Sequence, residues 1–286
     1  MSKDSSRGLG SALVIALLLS CGPPAGEGPS GSRSLLEEIQ DRGVLRVGAE
    51  CVYKGTCFLD PASGERVGYS VEITRLMAQD LGVEVEWVDL EWTALIPAIG
   101  TGQVDIITQG VTNSPERAKV VEMSKPMDYY PGVLVLPAGS RLHELETVDE
   151  VFAALNRPER SVAFLLGGAQ ERISKTVLPR AQQKGLDLAA AYLEVASGRA
   201  DAMLADAGDA WDMIRANPGG KIWRDTVVYT LYGSMVIRPG EQRFLNWINN
   251  WIGYYTANQT LRSLKLKWFI ERGVPEWMRV LPPAGF

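Results

Sequence analysis

Apolar positions along this chain repeat with two periods, and the places where the period changes mark its elements. Leu35 to Arg42 reads as a helix and Val44 to Ala49 as a strand. Phe58, Leu59, the turn Asp60 to Gly64 and Val67 then make a hairpin-like excursion. Ser70 is placed to cap an amphipathic helix, Val71 to Leu81, that Gly82 ends. Val83, Val85 and Trp87 alternate with Glu84, Glu86 and Val88 as the next strand. From Trp92 to Arg117 the pattern gives a short helix closed by Gly100 and Gly102, a buried strand Val104 to Thr108, and a loop of small polar residues. A new helix should follow, with Ser114 as N-cap, Pro115 in its first position and Glu116 at the positive end of its dipole. An alternating order of strand and helix implies a mostly parallel sheet.

The second half repeats part of this grammar. Thr147 and Glu150 can form a capping box for a helix to Leu155, and Ser161 to Leu166 reads as a strand. Gly167-Gly168-Ala169-Gln170 then turns into a helix from about Glu171 to Val177. Val195 to Leu204 echoes Ile99 to Thr108, with a helix end, a glycine, an aspartate and a buried strand. Two lobes of the same wind follow, each with a loop after that strand: Gln109-Gly110 onward in the first, Ala205 to Asp209 in the second. The chain should cross between lobes around Met127 to Leu136 and return near Ser234 to Arg238. Residues 34–132 with 235–286 then form lobe 1 and residues 133–234 lobe 2. Glu241 to Tyr255 and Leu261 to Arg272 read as closing helices, with Phe244, Trp247, Ile248, Trp251 and Ile252 as a core stripe.

Residues 1–20 have the parts of a secretory leader: Lys3 and Arg7, an apolar run Ala12 to Leu19, and a small residue before Cys21. The run is too short to span a bilayer, and no longer one follows. Residues 22–33 read as a flexible tether. The net charge of −5 without a basic cluster argues against a nucleic-acid partner. Export would place Cys51 and Cys57 in an oxidising compartment, where a disulfide closing VYKGT is expected over two buried thiols. His143, the only histidine, lies in a polar segment and reads as solvated, so metal ligation is not expected.

The chemistry concentrates after the strand ending at Thr108. A loop between a strand's carboxyl end and a helix start offers free N–H groups to an anion, and Arg117 adds a planar donor pair that matches a carboxylate. Glu50 and Tyr53 follow the first strand's carboxyl end, where open α/β sheets place ligands.

Gly43-Val44-Leu45-Arg46-Val47-Gly48, the helix ending Leu95-Ile96-Pro97-Ala98-Ile99, the following Gly-x-Val-Asp, and Ser114-Pro115-Glu116-Arg117 resemble, in order and spacing, the periplasmic solute-binding proteins of the polar amino acid type. Leu18-Leu19-Ser20-Cys21 resembles a lipobox, in which Cys21 becomes the lipidated first residue; an ordinary signal peptide is the alternative. The resemblance implies a two-lobed α/β type II periplasmic binding protein, each lobe a mostly parallel sheet flanked by helices, with two hinge crossovers. It implies a monomer without cofactor, exported, held to the membrane only through its lipid, that delivers a small amino acid or related carboxylate to an ABC permease.

Carried over residue by residue, the resemblance assigns Arg117 to the ligand's α-carboxylate, with Gly110 and Thr112 adding donors and Asp206 taking the α-ammonium. Tyr53 and Trp92 match stacking positions, although Trp92 also suits a core. Glu50 matches a position that contacts the ligand's distal end or its amine, where surface exposure is an equal account. Gly168 and Ala169 stand at the second-lobe turn, with Ala169 where many relatives have a hydroxyl. Met127 replaces a customary aromatic. The same resemblance includes cyclohexadienyl dehydratase, an enzyme on this fold, whose acid would fall at Asp209. There the turn departs at Ala169-Gln170.

Overall fold

Ser34 launches the framework: its hydroxyl accepts from the Glu37 amide while the Glu37 carboxylate reaches back, a capping box that starts helix α1 (Leu35–Arg42). The computed structural model describes residues 33–270 and 273–278; the leader, Cys21, the tether up to position 32 and Arg272 lie outside the described residues. Strand β1 (Val44–Ala49) leads to β2 (Val52–Tyr53), β3 (Cys57–Leu59) and β4 (Arg66–Val67), a separate three-stranded sheet that realises the expected excursion. Helix α2 (Tyr69–Leu81), β5 (Glu84–Asp89), α3 (Trp92–Gly100), β6 (Ile106–Thr112) and β7 (Glu122–Met123) follow. The chain then runs through the long β8 (Asp128–Pro137), α4 (Val148–Leu155), β9 (Ser161–Leu165), α5 (Ala169–Val177), β10 (Gln182–Leu186) and α6 (Leu188–Ala196). Strand β11 (Ala202–Asp206), α7 (Ala207–Ala216), β12 (Gly220–Ile222), β13 (Tyr229–Ile237), α8 (Gln242–Ala257) and α9 (Thr260–Lys265) complete the order, before a π turn over Leu266–Ile270.

The main sheet runs β10-β9-β11-β8-β13-β6-β1-β5. Within each half, β1 lies parallel to β5 and β6, and β9 parallel to β10 and β11. The two long strands join the halves. Residues 128–132 of β8 pair antiparallel with residues 229–233 of β13, after which β8 continues alongside β11 and β12, and β13 alongside β6 and β7. Each half is covered on both faces. Around β1, α1, α2 and α8 bury Leu35, Ile39, Ile73, Met77, Phe244 and Ile248 on one side, and α3 buries Leu95 and Ile99 on the other. In the other half, α6 and α7 cover one face and α4 the other. Phe244, Ile248, Trp251 and Ile252 are buried as expected, and Trp247 packs against them.

Several expectations are corrected by long-range pairing. Ser70 does not cap α2; Gly68 precedes the helix at φ +133°, where a Cβ would meet the Thr56 carbonyl oxygen at 2.3 Å, and the Ser70 hydroxyl donates to that oxygen instead (2.7 Å). Gln109 and Gly110 are strand residues, because β13 keeps pairing with β6 through Thr112. The helix expected after Ser114 is a single 3-10 turn, Arg117–Lys119, since the chain is drawn straight back to pair β7 with β13. Ala207 to Asp209 are the first turn of α7, not a loop. The second closing helix ends as α9 at Lys265 and continues as a π turn.

The internal echo has a structural role. Asp105 accepts from the Arg46 amide (2.8 Å) and from the guanidinium groups of Arg46 (2.8 Å) and Arg42 (2.5 Å), tying the approach to β6 to β1. Asp201 does the same in the other half, accepting from the Ser161 amide (2.8 Å) and from Arg160 (2.5 Å) at the start of β9. In both halves an aspartate before the strand fixes its neighbour's register with charge-assisted bonds.

Candidate ligand-binding cleft

The carboxyl ends of β6, β9 and β11 and the loop that follows β1 converge on a cavity of about 790 Å³, its open mouth included. Tyr53, Trp92, Gly110 and Thr112 line it from the first half, and Gly168, Ala169, Asp206 and Asp209 from the second. The residues that the sequence marks in separate segments therefore meet in one place, with two exceptions. Glu50 stands behind the wall, accepting a hydrogen bond from the Tyr53 hydroxyl (2.6 Å), and burial raises its pKa. Its backbone exchanges two bonds with the Gln109 side chain (2.8 and 2.7 Å), locking the end of β1 to β6.

Arg117 is the second exception. Its guanidinium lies beside the main cavity, in a side pocket it shares with Trp92, Thr93 and Gly167. Nη1 donates to the Thr112 carbonyl (2.8 Å) and Nη2 to the Gly167 carbonyl of the opposite half (2.9 Å), with Trp92 about 6.0 Å beneath. Burial lowers its pKa to about 10, and the like charge of Arg172 adds to the effect, so it stays cationic at neutral pH. Two carbonyl oxygens thus hold donors whose geometry suits a carboxylate.

The electrostatics change sign across the cleft. Burial raises the Asp206 pKa to about 7, opposed by a hydrogen bond that Gln170 Nε2 donates to Oδ1 (2.8 Å). Asp206 precedes α7 without capping it, which leaves its side chain to the cavity. Burial also raises the Tyr53 and Tyr130 phenols; the hydrogen-bonded Glu50 carboxylate adds to the effect at Tyr53, and the charges of Asp206 and Asp209 contribute less. A carboxylate at this depth is costly unless a cation joins it.

Glycine at position 110 is required twice over: φ is +73°, and a Cβ would lie 2.0 Å from the Tyr130 hydroxyl, which donates to the Gln109 carbonyl (3.0 Å). A disulfide between Cys51 and Cys57, Cα atoms 4.5 Å apart, closes the loop that carries Tyr53, Lys54 and Thr56 into the cavity. His143 is half-buried, with Nε2 3.2 Å from the Pro137 carbonyl, so it is only partly solvated, and burial lowers its pKa. Met127 packs against the core of the first half. Lys54, Tyr130, Gln170 and Phe269 line the cavity without having been marked in the sequence. Gln170 adjoins the Gly-Gly turn and could have been found there; Phe269, on the terminal π turn, carries no local signal.

Two α/β halves joined by a pair of long crossing strands, with a charged and aromatic cleft at the strand ends, define a type II periplasmic solute-binding protein. The chain belongs to the bacterial extracellular solute-binding proteins, family 3, which match it over residues 45–271. Among solved structures it resembles the ancestral amino acid-binding protein AncCDT-1, a precursor of cyclohexadienyl dehydratase. The two are 34% identical with a TM-score of 0.73, over 82% of this chain and 100% of that one. It is 26% identical to the L-cystine-binding protein TcyJ of Escherichia coli K12 over 242 residues, 82% of this chain and 86% of that protein. It is 24% identical to the cyclohexadienyl dehydratase of Pseudomonas aeruginosa PAO1 over 257 residues, covering 89% and 91% of the two chains.

Proposed function

We propose that this protein captures a small amino acid, or a related carboxylate, that carries positive charge, and delivers it to the permease of an ABC importer. The observation that carries the reading is the polarity of the cleft: Arg117 in the side pocket next to it, and Asp206 and Asp209 with the rings of Tyr53, Trp92 and Tyr130 around the main cavity. In this reading the ligand's carboxylate takes the Arg117 donors now held by carbonyl oxygens, helped by Gly110 and Thr112. Its ammonium group joins Asp206. A cationic distal group lies against the aromatic faces, with Asp209 for its charge. The solute class named for AncCDT-1 and TcyJ, amino acids, agrees with this.

The two halves act as the lobes, residues 34–132 with 235–286 and residues 133–234, hinged where β8 and β13 cross. Because opposite ends of one zwitterion need groups from both lobes, binding and closure become one event. Export, anchoring through a lipid on Cys21 and a monomeric state complete the reading.

The protein is read as a binder and not an enzyme. The dehydratase alternative has one observation in its favour, Asp209 on the cavity wall, where an acid could protonate a leaving hydroxyl. Ala169 supplies no hydroxyl there, and the Gln170 amide is engaged by Asp206. A thermal-shift screen of residues 22–286 against basic, neutral and acidic amino acids, dicarboxylates, prephenate and arogenate tests both. A ligand at a hundred times its Kd adds about 2.7 kcal/mol, several degrees in midpoint. Shifts confined to cationic amino acids support the reading. Turnover of prephenate or arogenate that Asp209→Asn abolishes would replace it with the enzyme.

A further inference from the structure

We infer that Arg172, Ser114 and Glu116 form a clasp across the cleft, outside the ligand cavity, that sets how long the closed state lasts. The inference rests on the binding reading, but its parts are independent of which ligand is bound. Arg172 sits on α5 in the second half. Its Nη2 donates to Ser114 Oγ (3.0 Å) and its Nη1 pairs with Glu116, both on the segment after β6 in the first half. None of the three lines the main cavity or the side pocket of Arg117.

The clasp is coupled to the site at both ends. Helix α5 begins at Ala169, a cavity residue, so Arg172 lies one turn along a rigid element from the wall itself. On the other side Ser114 Oγ also accepts from the Arg117 amide (3.2 Å), which braces the turn that presents Arg117. The Arg172 charge is felt at Arg117, and Glu116 is the counter-charge that lets the two guanidinium groups share this edge. A contact that exists only when the halves meet favours the closed state by its whole strength. Both side chains of the ion pair are substantially exposed, 43% for Arg172 and 60% for Glu116. The clasp is therefore a weak one, suited to trimming a lifetime by roughly two- to fivefold and weakened further by salt.

Charge reversal tests this. Arg172→Glu, Glu116→Arg and the double exchange would be compared with the parent protein by small-angle scattering without ligand at low salt, and by stopped-flow release of L-arginine. The expected result is a larger radius of gyration and roughly two- to fivefold faster release in each single variant. The double exchange should restore both values, with unchanged melting midpoints showing that the fold is intact. Single variants with parental scattering, or a double exchange that stays expanded, would overturn the clasp. Failure of the parent protein to bind L-arginine would count against the proposed ligand class alone, because the scattering comparison needs no ligand.

Discussion

Nη2 of Arg117 and the carbonyl oxygen of Gly167 lie 2.9 Å apart across the cleft, fifty residues apart in the chain. The bond gives a half-buried cation an oxygen that the proposed ligand's carboxylate would replace, and it does so with the halves together. Arg117→Ala removes both the bond across the cleft and the proposed carboxylate partner. Its expected cost is about 3 kcal/mol in binding, at least a hundredfold in Kd by calorimetry. Arg117→Lys should recover only part of it, because an ammonium cannot reproduce the planar pair of donors. Affinity within a factor of two of the parent would remove Arg117 from the site.

The Asp206 pKa of about 7 predicts a pH dependence of opposite sense for binding and for stability. An ammonium ligand needs the carboxylate, so affinity should rise by up to about tenfold per pH unit towards 7 and level off above it. Without ligand, the folded state holds a proton that the unfolded chain, with an ordinary aspartate near 3.9, has already released. Stability should therefore fall as pH rises from about 4 through 7. Asp206→Asn should flatten both curves, measured by calorimetry and by melting midpoints across this range. A parent affinity independent of pH between 5 and 8 would argue against the ammonium role.

Gly110→Ala should destabilise the protein by roughly 1 to 3 kcal/mol, through its positive φ and through the Tyr130 hydroxyl beneath it. Adding Tyr130→Phe should return part of the loss, since it removes the atom that the new Cβ would strike. Denaturant midpoints for the two single variants and the pair measure the coupling. Additive losses would show that φ alone restricts the position.

The Cys51–Cys57 disulfide closes a short loop, for which chain entropy gives about 2 kcal/mol of stability. Because that loop carries Tyr53, Lys54 and Thr56 into the cavity, replacing both cysteines with serine should weaken ligand binding as well as lower the melting midpoint. Loss of stability with unchanged affinity would show that the loop holds its shape without the bond.

Lys265 pairs with Asp128 at the start of β8 and lies 4.1 Å from the centre of the Tyr129 ring. Both partners are largely buried, so Lys265→Met leaves Asp128 uncompensated and should cost about 3 to 5 kcal/mol. Urea unfolding measures it. Asp128→Asn in the same background should recover part of the loss.

Local pattern determined most of the framework. The capping box at Thr147, the left-handed glycine after Leu81, the alternation around Trp87 and the stripe from Phe244 to Ile252 each depend on neighbours within a turn or two, and each is legible in the chain. The repeated glycine and aspartate before β6 and β11 announced two similar halves for the same reason. Tertiary structure decided how the marked residues assemble and which others join them. Strand β6 runs on through Gly110 because β13, more than a hundred residues later, supplies its hydrogen bonds. Glu50 is drawn behind Tyr53 by Gln109, Arg117 is turned towards Gly167, and Phe269 reaches the cavity from the far end of the chain. Spacing along a chain encodes which face of an element a residue occupies. The partner across a cleft is set by how separate elements meet, and no local period records that.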